Sequence, residues 1–387
     1  MTKKNNLLLL AIVLIACNLR ACLTGIGPIS AMIQEELGLS AGAAGFITTI
    51  PLLAFAAASP FVGRLSAKAG EGAVMTGGFI VLILGLAVRA FAGTAGLFLG
   101  TLLAGAGISV GNVLLPALIK GCFPQRISAL TGVYTSAMSA FASVAAAVSV
   151  PLALAAGWRS SLAVWILLAV AALIVFLPFR KMRMTREQDE RSEAGGEDRK
   201  VLHHPVTWWL SLYMGLQSMF FYCFVAWLPA VLQTHGFTTA EAGYWASIYQ
   251  LIGIFVAFLT PMICGKQDQK RFSLLVSALY IAGMALMIFA ESRQLLCTGV
   301  IFCAICASAT FSLAMVMISA RASTPAAAAT LSGITQSAGY LIAAVGPFLM
   351  GFIFDLTGNW TVTLLALTAV LVPMTLAGWQ SGQDRYI

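Results

Sequence analysis

Arg20 lies inside an apolar run over 7–33. A cation near the centre of a bilayer costs about 2.5–3.5 kcal/mol on insertion scales, so one that is retained there points to function. On a helix, Cys17, Arg20, Thr24 and Gly27 fall at i, i+3, i+7 and i+10 and share one small or polar face, with Leu19, Leu23 and Ile26 turned away. Guanidinium and hydroxyl then meet on one wall. The planar donor fork of arginine suits a small anion or the acceptor atoms of a polar heterocycle. The alternative is a structural Arg20 bonded to backbone carbonyls at a helix break near Pro28.

All 14 Asp and Glu fall in loops or at span ends, among them Glu35, Glu36, Glu71, Glu241, Asp268, Glu291, Asp355 and Asp384. No span therefore offers Arg20 a carboxylate, which makes an incoming anion a natural counter-ion. Proton-coupled carriers relay through intramembrane Asp, Glu or His, so a central carboxylate relay is not expected. Groups at span ends such as His235, or protonation of the solute itself, remain open for coupling.

Further candidates surround this centre. Thr131, Thr135, Ser139 and Ser143 recur every four residues as a polar stripe, and a shift of 201 maps the first three onto Ser332, Gln336 and Tyr340. Gln336 and Tyr340 are large and polar and are expected to line a cavity; Thr131 and Ser143 suit close helix packing. Gln217 and Tyr222, with Phe220, Phe221, Phe224 and Trp227, form a polar and aromatic cluster suited to a flat solute. Asn112 and Gln250 are weaker candidates. The substrate-contact set is thus Arg20, Thr24, Asn112, Thr135, Gln217, Tyr222, Gln250, Gln336 and Tyr340. Arg89, near the outer end of the third span, is expected to snorkel to the headgroups. Arg64, Lys68, Lys120 and Arg321 lie at inner span ends as topology anchors or gating residues, Lys120 and Arg321 being paired by the same shift of 201.

The elements that must carry these residues are membrane helices. Of the 387 residues, 60% are hydrophobic and 9% charged, against about a quarter charged in soluble domains. Twelve apolar stretches, each near the roughly 20 residues that span a bilayer, run over 7–33, 41–66, 73–92, 95–119, 127–153, 158–179, 206–234, 241–264, 272–290, 294–319, 327–353 and 359–379. The first is too long for a cleaved signal peptide and carries Arg20 at its centre. With both termini in the cytoplasm, 18 of the 22 Lys and Arg fall on the inner side, and Arg159 and Arg293 outside. This is the positive-inside asymmetry. The net charge of +8 is therefore topology, and no nucleic-acid partner is expected. A multi-pass protein of the cytoplasmic membrane follows, its partners the bilayer and a small molecule.

An internal repeat organises the spans. Leu37–Phe46 recurs as His235–Tyr244 at a shift of 198; Leu130–Ala137 recurs as Leu331–Ala338, and Gly157-Trp158 as Gly358-Asn359-Trp360, near 201. A six-span unit has been used twice. The expected organisation is a six-helix bundle over 1–180, a charged cytoplasmic linker over 181–204, and a second six-helix bundle over 205–387.

The chain has no Gly-x-x-x-x-Gly-Lys-Ser/Thr loop, no His/acid metal set and no Ser or Cys beside a base, so neither an enzyme nor a self-contained ATP-driven pump is expected, and no cofactor or metal. Cys303-x-x-Cys306 sits mid-span with no second pair nearby, and cysteine there serves as a small hydrophobe.

Several motifs stand out together: Asn18-Leu-Arg20 with Thr24 and Gly27-Pro28; Thr48-Thr-Ile-Pro51; Leu103–Pro116 with Gly-Asn-Val-Leu-Leu-Pro at its end, running on to Lys120; Leu130-Thr-Gly-Val-Tyr134; and Leu331–Tyr340. In these the chain resembles the cyanate and 2-nitroimidazole porters of the major facilitator superfamily over nearly its whole length. The resemblance implies an all-α membrane protein of twelve transmembrane helices in two six-helix bundles. It also implies a secondary active transporter of a small anionic or planar heteroaromatic solute, working by alternating access; a monomer is expected. A multidrug or antimetabolite exporter of the same superfamily is the alternative. One departure is Ala67 in Gly63-Arg-Leu-Ser-Ala67-Lys68-Ala-Gly70, where the superfamily pattern has an acid.

Overall fold

The computed structural model of the chain describes residues 3–183, 201–264, 269–322, 325–383 and 387, so most of the charged linker (184–200) lies outside the described residues. Every regular element among those described is helical.

The first apolar run is broken. Helix α1 (Lys3–Thr24) gives way to a 3-10 turn over Gly27–Ile29 and then to α2 (Ser30–Leu37). Pro28 has no N–H for the carbonyl of Thr24, so the α-helical ladder cannot cross it. The chain then continues through α3 (Ala41–Ala69), α4 (Glu71–Phe91), α5 (Gly93–Cys122), α6 (Ile127–Ala163) and α7 (Trp165–Phe176). Ser40 caps α3 by accepting from Ala43 N at 3.2 Å. After the linker come α8 (Pro205–Thr234), α9 (Thr239–Cys264), α10 (Gln269–Phe289), α11 (Arg293–Arg321), α12 (Pro325–Thr357), α13 (Trp360–Ala369) and α14 (Leu371–Ser381). Thr238 and Glu241 open α9 with a reciprocal capping box, at 2.7 and 3.2 Å.

Eleven helical stretches of the described residues are long and apolar enough to cross a membrane. One of them, Gly132–Phe179, has 48 residues; at 1.5 Å per residue that is about 70 Å, twice a bilayer core. It is broken at Gly157, where φ is +80°, and so makes two passes. The expected twelve transmembrane helices are present. The repeat is written in the backbone too. Gly38 and Gly236 both take positive φ (62° and 79°), as do Gly157 and Gly358 (80° and 62°), at the same shifts of 198 and 201 that the sequence shows. Only glycine turns left-handed without a steric penalty, so the duplicated turns keep it.

The chain forms two compact units: Met1–Thr185 with Val225–Leu251, and Arg186–Phe224 with Ile252–Ile387. In the first unit, α4 and α5 approach to backbone contact through glycine. A Cβ on Gly85 would stand 2.4 Å from Ala104 N, and one on Gly100 would stand 2.2 Å from Arg89 N. Without a hydrophobic drive between helices in lipid, such close approach is what dispersion rewards. In the second unit, Gly215 faces Ile342 and Gly339 faces Met214, which joins α8 to α12 in the same way.

The segment 225–251 carries the C-terminal third of α8 and the start of α9. By the sequence repeat it belongs with 205–387, yet by contact it packs with 1–185.

Candidate functional site

The conspicuous motif divides its labour. Asn18 is fully buried, and its Nδ2 donates to Leu14 O at 2.8 Å and Leu168 O at 3.3 Å, tying α1 to α7. Arg20, two residues on, is half-buried and engaged by neighbouring groups. Thr24 is buried, with Oγ1 donating to Arg20 O (3.2 Å) and to Ala142 O (3.1 Å). The hydroxyl predicted to stand beside Arg20 therefore also bridges α1 to α6. A Cβ on Gly25 would sit 3.5 Å from Ala145 O, so small residues let the two helices meet here. Arg20 thus lies on the last helical turn before a break whose position is fixed by buried polar bonds.

The other residues predicted from sequence divide between the units. Asn112 on α5, Thr135 on α6 and Gln250 on α9 belong to the first. Asn112 and Thr135 are half-buried, and Thr135 Oγ1 donates to Gly132 O at 3.1 Å; Gln250 is buried. The second unit holds Gln217 and Tyr222 on α8 and Gln336 and Tyr340 on α12. Tyr222, Gln336 and Tyr340 are half-buried. Gln336 Nε2 donates to Ser332 Oγ at 2.9 Å, and Tyr222 meets Phe221 edge-on with ring centroids 5.1 Å apart.

Gln217 differs from the expectation of a lining group. It is 1% exposed, and its amide donates to Met214 O (3.1 Å) and Ser218 Oγ (2.7 Å). Its donors are taken up within its own helix. The aromatic cluster also splits: Phe220, Phe224 and Trp227 are buried, Phe220 packing on Tyr280 with centroids 4.8 Å apart, while Phe221 and Tyr222 stay half-buried.

Arg89 does not snorkel. It is 1% exposed, and Nη1 donates to Cys22 O at 2.7 Å. The close crossing of α5 at Gly100 covers the end of α4 and turns this side chain inward to α1.

Of the residues expected at inner span ends, Lys68 is exposed, and its carbonyl accepts from Arg183 Nη2 at 3.4 Å. The side chains of Arg64 and Lys120 lie outside the described ones. Arg321 is buried to 3% exposure within the second unit, Nε donating to Ser381 O and Nη2 to Gln269 Oε1, both at 3.0 Å. It joins the ends of α10, α11 and α14.

Sequence reasoning missed one constellation. Ser143 of the polar stripe is matched by Ser247 on α9: the two Oγ atoms are 2.8 Å apart, and each hydroxyl also reaches the other residue's carbonyl, at 3.1 and 3.0 Å. Nearby, a Cβ on Gly27 would stand 2.0 Å from Val225 O. A lone serine in span eight carries no signal in sequence; only its register against Ser143 gives it meaning.

Helical spans, a buried polar centre at a helix break and a duplicated six-span plan define a membrane carrier. Residues 8–347 match the Major Facilitator Superfamily, and the chain belongs to that family. It is 34% identical over 387 residues to the 2-nitroimidazole transporter of Escherichia coli (strain K12), covering 99% of this chain and 98% of that one. It is 25% identical over 371 residues to the cyanate transport protein CynX of the same organism, covering 94% and 95%. In fold it resembles a bacterial homologue of the human lysosomal transporter Spinster, solved in an inward-facing and occupied conformation. There the TM-score is 0.79 at 15% identity, with 98% of this chain and 97% of that chain covered.

Proposed function

We propose that the chain is a secondary carrier of a small anionic or planar heteroaromatic solute, of cyanate or nitroimidazole type, moved across the cytoplasmic membrane by alternating access. The observation that carries this reading is Arg20: a half-buried guanidinium on the last turn before the break in span one, flanked by Thr24. A guanidinium held in low dielectric gives a small anion or a ring nitrogen directional, charge-assisted hydrogen bonds. Relatives named for 2-nitroimidazole and cyanate support the solute class.

Tyr222, Gln336 and Tyr340 are the residues of the second unit best disposed to add stacking and polar contacts, being half-buried on two helices in close contact. Asn112, Thr135 and Gln250 take a supporting part, while Gln217, with its donors taken up within α8, supports the helix and not the solute. Midplane binding between two repeats that rock about it is the transport scheme such repeats support. In this reading the protein acts as a monomer with both termini in the cytoplasm, and Arg64, Lys68, Lys120 and Arg321 lie toward the inner rim.

The test is a thermal-shift and binding screen of purified protein against cyanate, nitrate, small carboxylates and nitroimidazoles, repeated on Arg20→Ala. At least one compound stabilises the native chain, and that stabilisation disappears in the variant. Hits that persist unchanged in Arg20→Ala overturn the assignment of the site. Resistance to chemically unrelated drugs without saturable uptake of a small solute would establish the exporter alternative instead.

A further inference from the structure

Arg89 is a buried cation to which the binding site gives no part. Its Nη1 donates to Cys22 O at 2.7 Å, while Nε and Nη2 are buried with no hydrogen-bond partner. The described protein hydrogen bond of this cation therefore goes to the last turn of α1.

That turn is an unusual acceptor. The last carbonyls of any helix lack intrahelical donors, and here the chain does not resume an α-helical ladder past Thr24. Ile26 N turns to Leu23 O at 3.3 Å, in the tighter 3-10 pattern, and Ile29 N turns to Ile26 O at 3.2 Å. Pro28 brings no N–H at all. The carbonyl of Cys22, which Ile26 N would have met in a continuing helix, is taken by Arg89 instead. The carbonyl end of a helix is also the negative end of its dipole, where a cation is stabilising. The sequence offers this cap to Arg20 as its structural alternative; Arg89, brought across from α4, takes it up.

The backbone of Arg89 is itself fixed. Gly100 of α5 packs so closely that a Cβ there would lie 2.2 Å from Arg89 N. Through this contact α5 sets α4, and through the guanidinium α4 sets the end of α1. Two residues before Cys22 stands Arg20, and two after it stands Thr24, whose Oγ1 bridges to Ala142 O. We propose that Arg89 is a positioning residue: it caps the carbonyl end of α1, fixes where span one breaks, and so sets the placement of Arg20 and Thr24 for the solute. The proposal rests on the reading of Arg20 as the solute contact.

The experiment uses the full chain in lipid nanodiscs and proteoliposomes, with 2-nitroimidazole and cyanate as probes. Hydrogen exchange over residues 20–30 tests the cap without any solute. In Arg89→Gln it quickens at least tenfold, and in Arg89→Lys, which keeps charge and donor, it returns most of the way to native. In the same proteoliposomes Arg89→Gln raises KM at least fivefold with kcat within twofold, and Arg89→Lys recovers most of that loss. If Arg89 acts through Arg20, the Arg20→Gln, Arg89→Gln double variant binds no more weakly than Arg20→Gln alone. Should Arg89→Gln not fold, Arg89→His replaces it under the same criteria. Unchanged exchange over 20–30 overturns the cap. Faster exchange with native KM overturns the positioning role. An Arg20→Gln chain with native KM overturns instead the site reading on which this one rests, whatever Arg89 does.

Discussion

Replacing Gly27 by alanine isolates the packing of the C-terminal third of α8 against span one. Gly27 does not take a positive φ, so alanine fits its own backbone and any effect must come from the neighbour. The added Cβ would stand 2.0 Å from Val225 O, about 1.3 Å inside an ordinary C–H···O contact of about 3.3 Å. The obstacle is backbone carbonyl on a helix, which has no rotamer with which to yield. Overpacking of this kind costs about 1–3 kcal/mol. If the arrangement with 225–251 packed on α1 and α6 is one of two states of a carrier, that cost shifts their ratio by about 5–150-fold. A state in which 225–251 leaves α1 and α6 would separate Ser247 from Ser143, against which it is held here. The assay is the rate at which a water-soluble maleimide labels Ser247→Cys in the purified protein. It is measured with Gly27 or Gly27→Ala, after subtracting the native cysteines' labelling in a chain that keeps Ser247. Gly27→Ala is expected to speed labelling at least fivefold and to lower transport Vmax. Equal labelling and an equal Tm in the two chains would refute a role for this contact in holding 225–251 against span one.

Other outcomes follow from the same geometry. Ser143→Ala and Ser247→Ala each remove a hydroxyl that bonds to the other residue, at about 1 kcal/mol per hydrogen bond, and a double-mutant cycle on unfolding free energy should return a coupling of about 0.5–1.5 kcal/mol; a cycle that closes to zero would show that the two serines act independently. Arg321→Met removes two charge-assisted bonds, to Ser381 O and Gln269 Oε1, worth about 1.5–3 kcal/mol each. It should lower Tm markedly while leaving KM near native, and a large KM change at native Tm would return Arg321 to the gate.

Much of the architecture was legible in the chain before folding. Bilayer solvent demands long helices with their backbone bonds closed internally, so hydropathy alone marks the spans, and 48 apolar residues broken at Gly157 resolve into two passes. Duplication left its own mark: the shifts of 198 and 201 reappear as glycines of positive φ at matched turns. Arg20 could be singled out because a charge inside an apolar run contradicts its surroundings, and that contradiction is local.

What only the tertiary structure decided is which face of a helix meets which neighbour. Arg89 and Arg20 carry the same signal in sequence, a cation within a span, yet the crossing of α5 at Gly100 buries the former against Cys22 O. Gln217 looks like a lining group by type and is closed off by bonds to its own helix. Ser247 looks like nothing until α9 sets it opposite Ser143. Periodicity fixes a residue's position around its own helix axis. Helix rotation and depth are set by interlocking of many weak contacts from other parts of the chain, so the partner of a polar group inside the membrane is a property of the assembled bundle.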